Sequence, residues 1–278
     1  MTSIAPVPQF IDSSGRRIFS LYFPAASVGS YSVLLIPPFA DEMNKSRRMY
    51  SELARKLSSN NYHVLMFDFF GTGDSDGLVE EANWQHWLDD IKCCLSHLRD
   101  KVSGSVSLVA MRTGALLAAE YLNTSEAEIN KLLLWQPVID GKVFFNQFMR
   151  LRLASSMMSG DKDKETSKDL KAMLDAGESL EIAGYMITPS LANRLQAASL
   201  KNMDAKSDID IAWFDVVADE QKEAPLMNRK LVEQWQQAGM KVEHNKVAGM
   251  AFWSSTEIVE IPALLDHSVQ FLTRNGAG

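Results

Sequence analysis

The amino-acid sequence predicts an α/β protein with a mostly parallel sheet that is covered by helices on both faces. Short apolar runs rich in Val, Ile, Leu and Phe alternate with stretches of helical period, and this alternation is typical of such a sheet. The chain has 278 residues and is 46% hydrophobic, which is enough to bury one large core. We therefore interpret residues 1–278 as a single domain.

Eight strands are predicted from apolar runs that are bounded by turn residues. The first two, at 8–11 and 17–23, enclose the turn sequence SSG and predict an N-terminal hairpin. The remaining six are expected at 32–37, 63–68, 106–111, 132–137, 210–217 and 242–247.

Stretches of helical period follow the third strand and the later ones. The clearest apolar stripe lies between the fourth and fifth strands, and others precede the fourth strand, follow the fifth and close the chain. These stripes consist of Trp84, Trp87, Leu88, Ile91, Leu95 and Leu98; of Met49, Leu53 and Leu57; of Ala115 to Leu122; and of Ile261, Leu264, Leu265, Phe271 and Leu272.

Residues 142–206 interrupt the alternation, because no strand is evident there. We interpret them as a helical lid inserted after the sixth strand, with the charged run DKDKET (161–166) between its helical segments. A helical bundle that only extends the core explains the same pattern equally well. The apolar side chains of the segment are Phe144, Phe145, Phe148, Leu151, Leu153, Met157 and Met158.

Charge and hydropathy exclude several classes of function. The formal net charge is -7 and the basic residues are scattered, which argues against a nucleic acid or an anionic membrane as the main partner. The first residues, MTSIAPVPQF, lack the pattern of a signal peptide, and no apolar run reaches the length of a membrane span, so we expect a cytoplasmic protein. Cys93 and Cys94 are adjacent and predict neither a disulfide framework nor a metal site, and no cofactor is implied.

Several short segments resemble known families. FDFFGTGDSDG (67–77) contains the glycine turn D-x-x-G-x-G-x-S, and IPPFADEMNKSRRMY (36–50) follows the third strand; with the order of elements, both resemble the α/β-hydrolase fold. PPFADEMNKSRRM, LLLWQPVIDG and VAGMAFW resemble more narrowly the exosortase A system-associated hydrolases, in their second hydrolase-like type. This resemblance extends over nearly the whole chain. It implies that the protein comes from bacteria that make exopolysaccharide and sort surface proteins.

The α/β-hydrolase resemblance implies a nucleophile on a tight turn between the fifth strand and its helix. In LVAMRTGAL (108–116), Ala110 and Gly114 are the small residues that such a turn needs, but the central residue is Arg112. A guanidinium is permanently protonated at neutral pH and has no lone pair for attack. Thr113 carries the nearest hydroxyl, but it begins the helix and is a poor substitute.

The two other triad positions follow the last two strands. The family's histidine lies after the eighth strand, where VAGMAFWSST (247–256) contains none. Among the five histidines only His86 is placed to approach a cleft, and we expect a packing or surface role for it. Asp219 ends the seventh strand at the position of the family's carboxylate, and without an imidazole it is expected to be a turn residue or a counter-ion.

A fixed cation at position 112 predicts an anion nearby, because the adjacent helix N-terminus is also positive. An internal carboxylate is the alternative we favour, and a planar bidentate contact would suit the guanidinium. The candidates are Asp41 and Glu42, from the loop after the third strand, and Asp219.

A ligand carboxylate or phosphate is the other source of the anion. It would be bound by Arg112 with the backbone N–H groups of Thr113 and of Phe39 or Ala40. Both alternatives predict a concave cleft beneath the lid. Its aromatic lining is expected from Phe39, Trp135, Phe252 and Trp253, and core packing explains these four aromatics equally well.

Lys45, Arg47 and Arg48 form the strongest local basic cluster. We interpret most of it as a solvated edge, with one arginine turned back towards the carboxylates of the preceding loop. A docking patch for a partner stays open.

The sequence leaves three functions open. The favoured one is a pseudoenzyme: a catalytically degenerate hydrolase fold that binds an anionic or acyl-bearing small molecule, or another protein, in an exosortase-associated system. The second is a hydrolase or an acyl- or glycosyltransferase that acts on an ester or thioester with carboxylates outside the triad, namely Asp41, Glu42, Asp74 or Asp219. An ordinary serine esterase is the least favoured function. The oligomeric state is not predicted, and a homodimer is one possibility.

Overall fold

A computed structural model describes residues 5–27, 31–126, 128–158, 165–204 and 208–274. The side chains of Met157 and Met158 and residues 161–164 of the charged run, which belong to the predicted lid, lie outside the described part.

The described residues form ten strands. They are β1 (Val7–Ser13), β2 (Arg16–Phe23), β3 (Tyr31–Ile36), β4 (Tyr62–Phe67), β5 (Val106–Met111), β6 (Lys131–Trp135), β7 (Leu180–Ile182), β8 (Tyr185–Ile187), β9 (Asp210–Val217) and β10 (Lys241–Ala248). Eight of them form one sheet in the order β1-β2-β4-β3-β5-β6-β9-β10, and these are the eight predicted strands. The pairings β1 with β2 and β2 with β4 are antiparallel, and the other five are parallel.

Helices cover both faces of this sheet. They are α1 (Asp41–Ser59), α2 (Trp84–Lys101), α3 (Gly114–Thr124), α4 (Gly141–Met158), α5 (Ser167–Asp175), α6 (Pro189–Ala197), α7 (Leu226–Gln237) and α8 (Pro262–Thr273), with a 3-10 turn at Leu200–Asn202. α1 and α8 share one apolar cluster with one face of the sheet, and α2, α3 and α7 share another with the opposite face. The apolar stripes predicted for α1, α2, α3 and α8 are buried, which confirms them.

The segment between β6 and β9 contains α4, α5, the hairpin β7–β8 and α6. The expectation that it holds no strand is wrong, because β7 and β8 pair through a turn at Ala183 and Gly184, which have φ of 51° and 83°. Each of these strands has three residues, which is too short for an alternating pattern to be visible in the sequence. Apolar side chains of the segment, such as Phe145 and Leu170, belong to the larger core cluster.

The glycine turn after β4 closes around a buried carboxylate. Arg47 of α1 donates from Nη2 to both oxygens of Asp68 at 2.8 Å, and the Asp74 N–H donates to Asp68 Oδ2 at 3.0 Å. Gly73 has a φ of 55°, and a Cβ there would lie 2.1 Å from Asp68 Oδ2. The second glycine of the motif is therefore required by the ion pair that the turn encloses.

The two cysteines are free thiols, Cys93 half-buried and Cys94 buried on α2. Burial raises the pKa of the Cys94 thiol, so this residue is an apolar packing group. None of the described helices combines the length and the apolar composition needed to cross a bilayer.

Candidate functional site

The turn between β5 and α3 places Arg112 at its tip. Arg112 has a φ of 52°, a left-handed conformation that non-glycine residues rarely adopt, and its carbonyl accepts from the N–H groups of Ala115 and Val138. A Cβ at Gly114 would lie 2.6 Å from the Pro37 carbonyl oxygen, so α3 begins too close to the end of β3 for a larger residue. The backbone thus has the strained geometry of a nucleophile turn, with a guanidinium at its centre.

The Arg112 guanidinium is held by an internal carboxylate. Its Nε lies 3.1 and 3.2 Å from the two oxygens of Glu42, and its Nη2 lies 3.0 Å from Oε1. Nη1 donates to the Gln136 carbonyl at 3.3 Å, and the guanidinium carbon lies 5.3 Å from the centroid of the Trp253 ring. Of the three carboxylates considered in the sequence, Glu42 is therefore the partner.

The charges at the start of α1 are neutralised in pairs. Lys45 lies 2.8 Å from Asp41, one helical turn away, while Glu42 pairs with Arg112. Burial raises the pKa of the Glu42 carboxyl, and the nearby Arg112 opposes this effect only in part. The corner of the site therefore carries two cations and two carboxylates in contact, with no excess charge that calls for a ligand.

A side-chain hydroxyl occupies one of the backbone donors expected to bind an anion. Thr113 Oγ1 accepts a hydrogen bond of 2.7 Å from the Phe39 N–H, and Thr113 is buried. The prediction that the Phe39 N–H is available to a ligand is therefore wrong. Ala40, which has a φ of 58°, precedes α1 and contributes to the wall of the cavity beside Arg112.

Two cavities flank the Arg112 side chain. The larger, which we call the cleft, has a volume of about 420 Å³, and the smaller, which we call the chamber, has about 220 Å³. Both are bordered by Arg112 and by Phe144 and Gln147 of α4. The walls of the cleft include Phe39, Glu42, Phe148, Leu151 and Trp253, and those of the chamber include Val138, Ile139, Val143, Met227 and Asn228.

The four aromatics expected to line the cleft divide into two groups. Phe39 and Trp253 do border it. Trp135 is fully buried and donates from Nε1 to Ser268 Oγ at 2.9 Å, and Phe252 packs edge-on against its ring. The structure places Trp135 and Phe252 in the core instead of the cleft, because both pack on the α1–α8 side of the sheet.

Three other candidates lie outside both cavities. Asp219 is exposed and accepts from the Gln221 N–H at 2.6 Å, so it is a turn residue and not a counter-ion of Arg112. Asp74 is an exposed residue of the glycine turn. His86 lies 3.3 Å from the Asn83 amide and packs edge-on against Phe70. None of the five histidines of the chain borders the cleft or the chamber.

Each member of the basic cluster on α1 has an acidic partner. Lys45 contacts Asp41, and Arg48 lies 2.6 Å from Glu260. Arg47 turns back as expected, but towards Asp68 after β4 and not towards the loop after β3. The cluster therefore presents no unpaired cations to a partner.

Three polar residues of the site are not among the candidates that the sequence indicates. Gln136 has a φ of 41° and joins β6 to β9, because its N–H donates to the Phe214 carbonyl and its Oε1 accepts from the Val216 N–H. Gln147 and Asn228 lie on α4 and α7 and border the chamber. Only the position of Gln136 directly after a buried strand could have drawn attention to it.

The order of the strands, the turn that bears Arg112 and the cleft at the carboxyl ends of the strands define an α/β-hydrolase fold. A family model described as serine aminopeptidase, S33 matches residues 39–185, which is more than half of the chain, and the protein belongs to this family. A search of curated proteins found no match.

Solved structures support the fold. Est1E from Butyrivibrio proteoclasticus, with ferulic acid bound, has a TM-score of 0.70 and 14% identity over 97% of this chain and 100% of its own. A soluble variant of monoglyceride lipase from Saccharomyces cerevisiae, in complex with a substrate analogue, has a TM-score of 0.66 and 15% identity over 100% and 97%. A thermostable carboxyl esterase from Bacillus coagulans, in complex with glycerol, has a TM-score of 0.66 and 11% identity over 98% and 99%.

Proposed function

We propose that this protein is a binding protein built on the α/β-hydrolase fold, without a serine-hydrolase triad, and that its cleft takes an uncharged, acyl-bearing small molecule. The observation that carries the proposal is the ion pair of Arg112 with Glu42 at the position of the nucleophile.

Three contacts support the loss of the triad. The guanidinium at position 112 cannot attack a carbonyl, and it is held in place by Glu42. Trp253, in the loop where the family has its histidine, lies over that guanidinium and borders the cleft. The Phe39 N–H, which would stabilise a developing oxyanion, is already bonded to Thr113.

The walls of the cleft support an uncharged ligand. Phe39, Phe148 and Leu151 supply apolar surface, and the charged groups beside them are paired. An anionic ligand would have to displace the Glu42 carboxylate from Arg112, which adds a cost that a neutral acyl group avoids. This consideration favours the acyl-bearing ligand over the anionic one.

The biological setting is part of the proposal and rests on the sequence motifs. The segments PPFADEMNKSRRM, LLLWQPVIDG and VAGMAFW support a role in an exosortase- and exopolysaccharide-associated system of bacteria. We place the protein in the cytoplasm of such a cell.

Labelling with a fluorophosphonate tests the absence of a nucleophilic serine. The wild-type protein is expected to remain unlabelled under conditions that label an active serine esterase completely. Arg112→Ser alone is also expected to remain unreactive, because no histidine borders the cleft. Labelling of any serine in the wild-type protein would overturn the proposal.

Two probes of equal length test the charge of the ligand. Octanamide is expected to bind at least as tightly as octanoate at neutral pH, measured by isothermal titration calorimetry. Leu151→Trp, at the exposed rim of the cleft, should block octanamide, whereas the matched variant Leu226→Trp, exposed on α7 and outside both cavities, should not. Binding of octanoate alone would replace the neutral ligand with an anionic one.

An enzyme that uses carboxylates is the second candidate. It is favoured by Glu42, which borders the cleft and whose pKa is raised by burial, beside Asp41. Such an enzyme would hydrolyse an ester or thioester, or would transfer its acyl group to another molecule. Turnover of p-nitrophenyl octanoate that is lost in both Glu42→Gln and Asp41→Asn would support it, and equal turnover in these variants and the wild type would exclude it.

A further inference from the structure

We propose that the chamber on the far side of Arg112 is a second binding site, which takes an aliphatic group carrying a hydrogen-bond donor, and that Asn228 accepts this hydrogen bond. This second site would hold another part of the ligand that is proposed for the cleft. Only this link between the two sites rests on the proposed function.

The chamber is an apolar cavity with a defined mouth. Val138, Ile139 and Phe144 are buried and form its inner wall. Val143 of α4 and Met227 of α7 also border it, and they are 54% and 57% exposed, so they lie where it opens to solvent. Its volume of about 220 Å³ is sufficient for a small aliphatic group, since a cavity of about 150 Å³ admits benzene.

The orientation of the Asn228 amide follows from a buried carboxylate behind it. Asp215 is fully buried, and its Oδ1 accepts from Trp213 Nε1 at 3.1 Å and from Asn228 Nδ2 at 2.6 Å. An indole nitrogen only donates, so Oδ1 is an acceptor and the amide of Asn228 must direct its nitrogen towards it. His244 Nε2, 2.7 Å from Oδ2, occupies the other oxygen.

The carbonyl oxygen of Asn228 is thereby left for the chamber. Within the described part of the chain, this oxygen accepts no hydrogen bond, although Asn228 is only 7% exposed and borders the cavity. The carboxylate of Asp140, also on the wall, is already bonded to the Val143 N–H and to Lys201. The oxygen is not sealed from solvent, because it is absent from the described buried atoms that lack a partner. A ligand that displaces water from it without supplying a donor leaves the acceptor unpaired, so a hydroxyl or amide N–H at this point is selected over a plain hydrocarbon.

Two isomeric probes separate the hydrogen bond from apolar burial. 1-Hexanol carries a donor, and methyl pentyl ether has the same atoms without one. The wild-type protein is expected to bind 1-hexanol about fivefold more tightly, as one neutral hydrogen bond provides, in ligand-observed NMR titrations. Asn228→Leu should remove this preference while it keeps the apolar wall.

Variants at the two mouths locate the probes without disturbing the core. Met227→Trp should abolish binding of both probes, whereas Leu226→Trp, its exposed neighbour outside both cavities, and Leu151→Trp, at the cleft, should leave their affinities unchanged. Equal affinity for the two probes in the wild type, or no binding of either, overturns the proposal. Binding that is lost in Leu151→Trp and kept in Met227→Trp also overturns it, yet leaves the proposed function of the cleft intact.

Discussion

Two of the arginine–carboxylate pairs that involve helix α1 use the same chemistry in different surroundings. Its Arg47 meets Asp68 of the glycine turn, and its Glu42 meets Arg112 of the turn after β5. Asp68 is almost completely buried and also accepts from the Asp74 N–H, and Gly73 leaves no room beside it. Arg112 and Glu42 are 17% and 19% exposed and border the cleft.

This difference indicates which carboxylate is held inside the fold and which one borders the cleft. In the Arg47–Asp68 pair only the carboxylate is enclosed, at 3% exposure beneath the backbone of the glycine turn, while the Arg47 side chain is 35% exposed. Both members of the Arg112–Glu42 pair border the cleft, so under the proposed function a bound molecule would change the solvation of the pair and thereby its strength. The type of contact is the same in the two pairs, and only the burial of the carboxylate distinguishes them.

Removal of Arg47 is expected to have the largest effect on stability. Arg47→Met leaves the Asp68 carboxylate buried without a countercharge and should lower the free energy of unfolding by about 3 kcal/mol. The measurement is urea denaturation. Arg48→Met is the matched control on the same helix: its pair with Glu260 is exposed, and less than about 1 kcal/mol should be lost. Similar losses in both variants would show that the enclosure of Asp68 does not matter.

The pair at the cleft is expected to contribute less. A double-mutant cycle of Arg112→Met and Glu42→Gln should give a coupling energy of about 1.5 kcal/mol, because the Glu42 carboxylate, unlike that of Asp68, keeps some contact with solvent. The affinity for octanamide provides a second comparison. It should change in Arg112→Met and Glu42→Gln and stay constant in Arg47→Met. A coupling energy near zero would mean that the two side chains do not interact in solution.

The contact of Arg112 with Trp253 should be weaker again. A second cycle, of Arg112→Met and Trp253→Leu, is expected to give about 0.7 kcal/mol, the size of a cation–π contact at a partly exposed site. Tm values and urea denaturation of the four proteins provide the measurement. If Trp253→Leu lowers the free energy of unfolding equally in the wild type and in Arg112→Met, Trp253 contributes only apolar packing.

The smallest effect is expected from pH. Burial raises the pKa of Glu42 above its ordinary value of 4.5, so the folded protein binds this proton more readily than the unfolded chain does. The favourable contribution of the protonated group is complete below pH 4.5 and is lost as the pH rises through the raised pKa. The stability of the wild type should therefore fall relative to Glu42→Gln as the pH rises above 4.5 and through the raised pKa of Glu42. A rise over this range would show that Arg112 outweighs burial.

Much of the fold could be predicted from local patterns. Apolar runs between turn residues located the eight strands of the sheet, because a strand buried on both faces has few polar positions. The hairpin β7–β8 was missed, since three residues carry no period. For Trp135 the choice between cleft and core stays open in the sequence, because the face of a sheet to which an aromatic points is not visible in a fully apolar run, and the structure places it in the core.

The site was predictable only in its centre. The small residues Ala110 and Gly114 identified the turn, and the close approach of Gly114 to Pro37 explains why. The choice of Glu42 over Asp41 was open, because two adjacent residues at a helix start point in different directions and only one meets Arg112. Asn228 had no signal at all, since its role depends on Asp215 behind it.

Local stretches of the chain are enough to predict the class of sheet, the turn after β5 and the permanent cation at its tip, because each of these features is encoded within a few consecutive residues. Three other features depend on the three-dimensional arrangement: the carboxylate that neutralises that cation, the backbone donor that is already used, and the two cavities that the Arg112 side chain borders. These features join residues far apart in the chain, such as Arg112 and Glu42 at a separation of 70 positions, and a hydrogen bond depends on distance and direction that no local pattern contains.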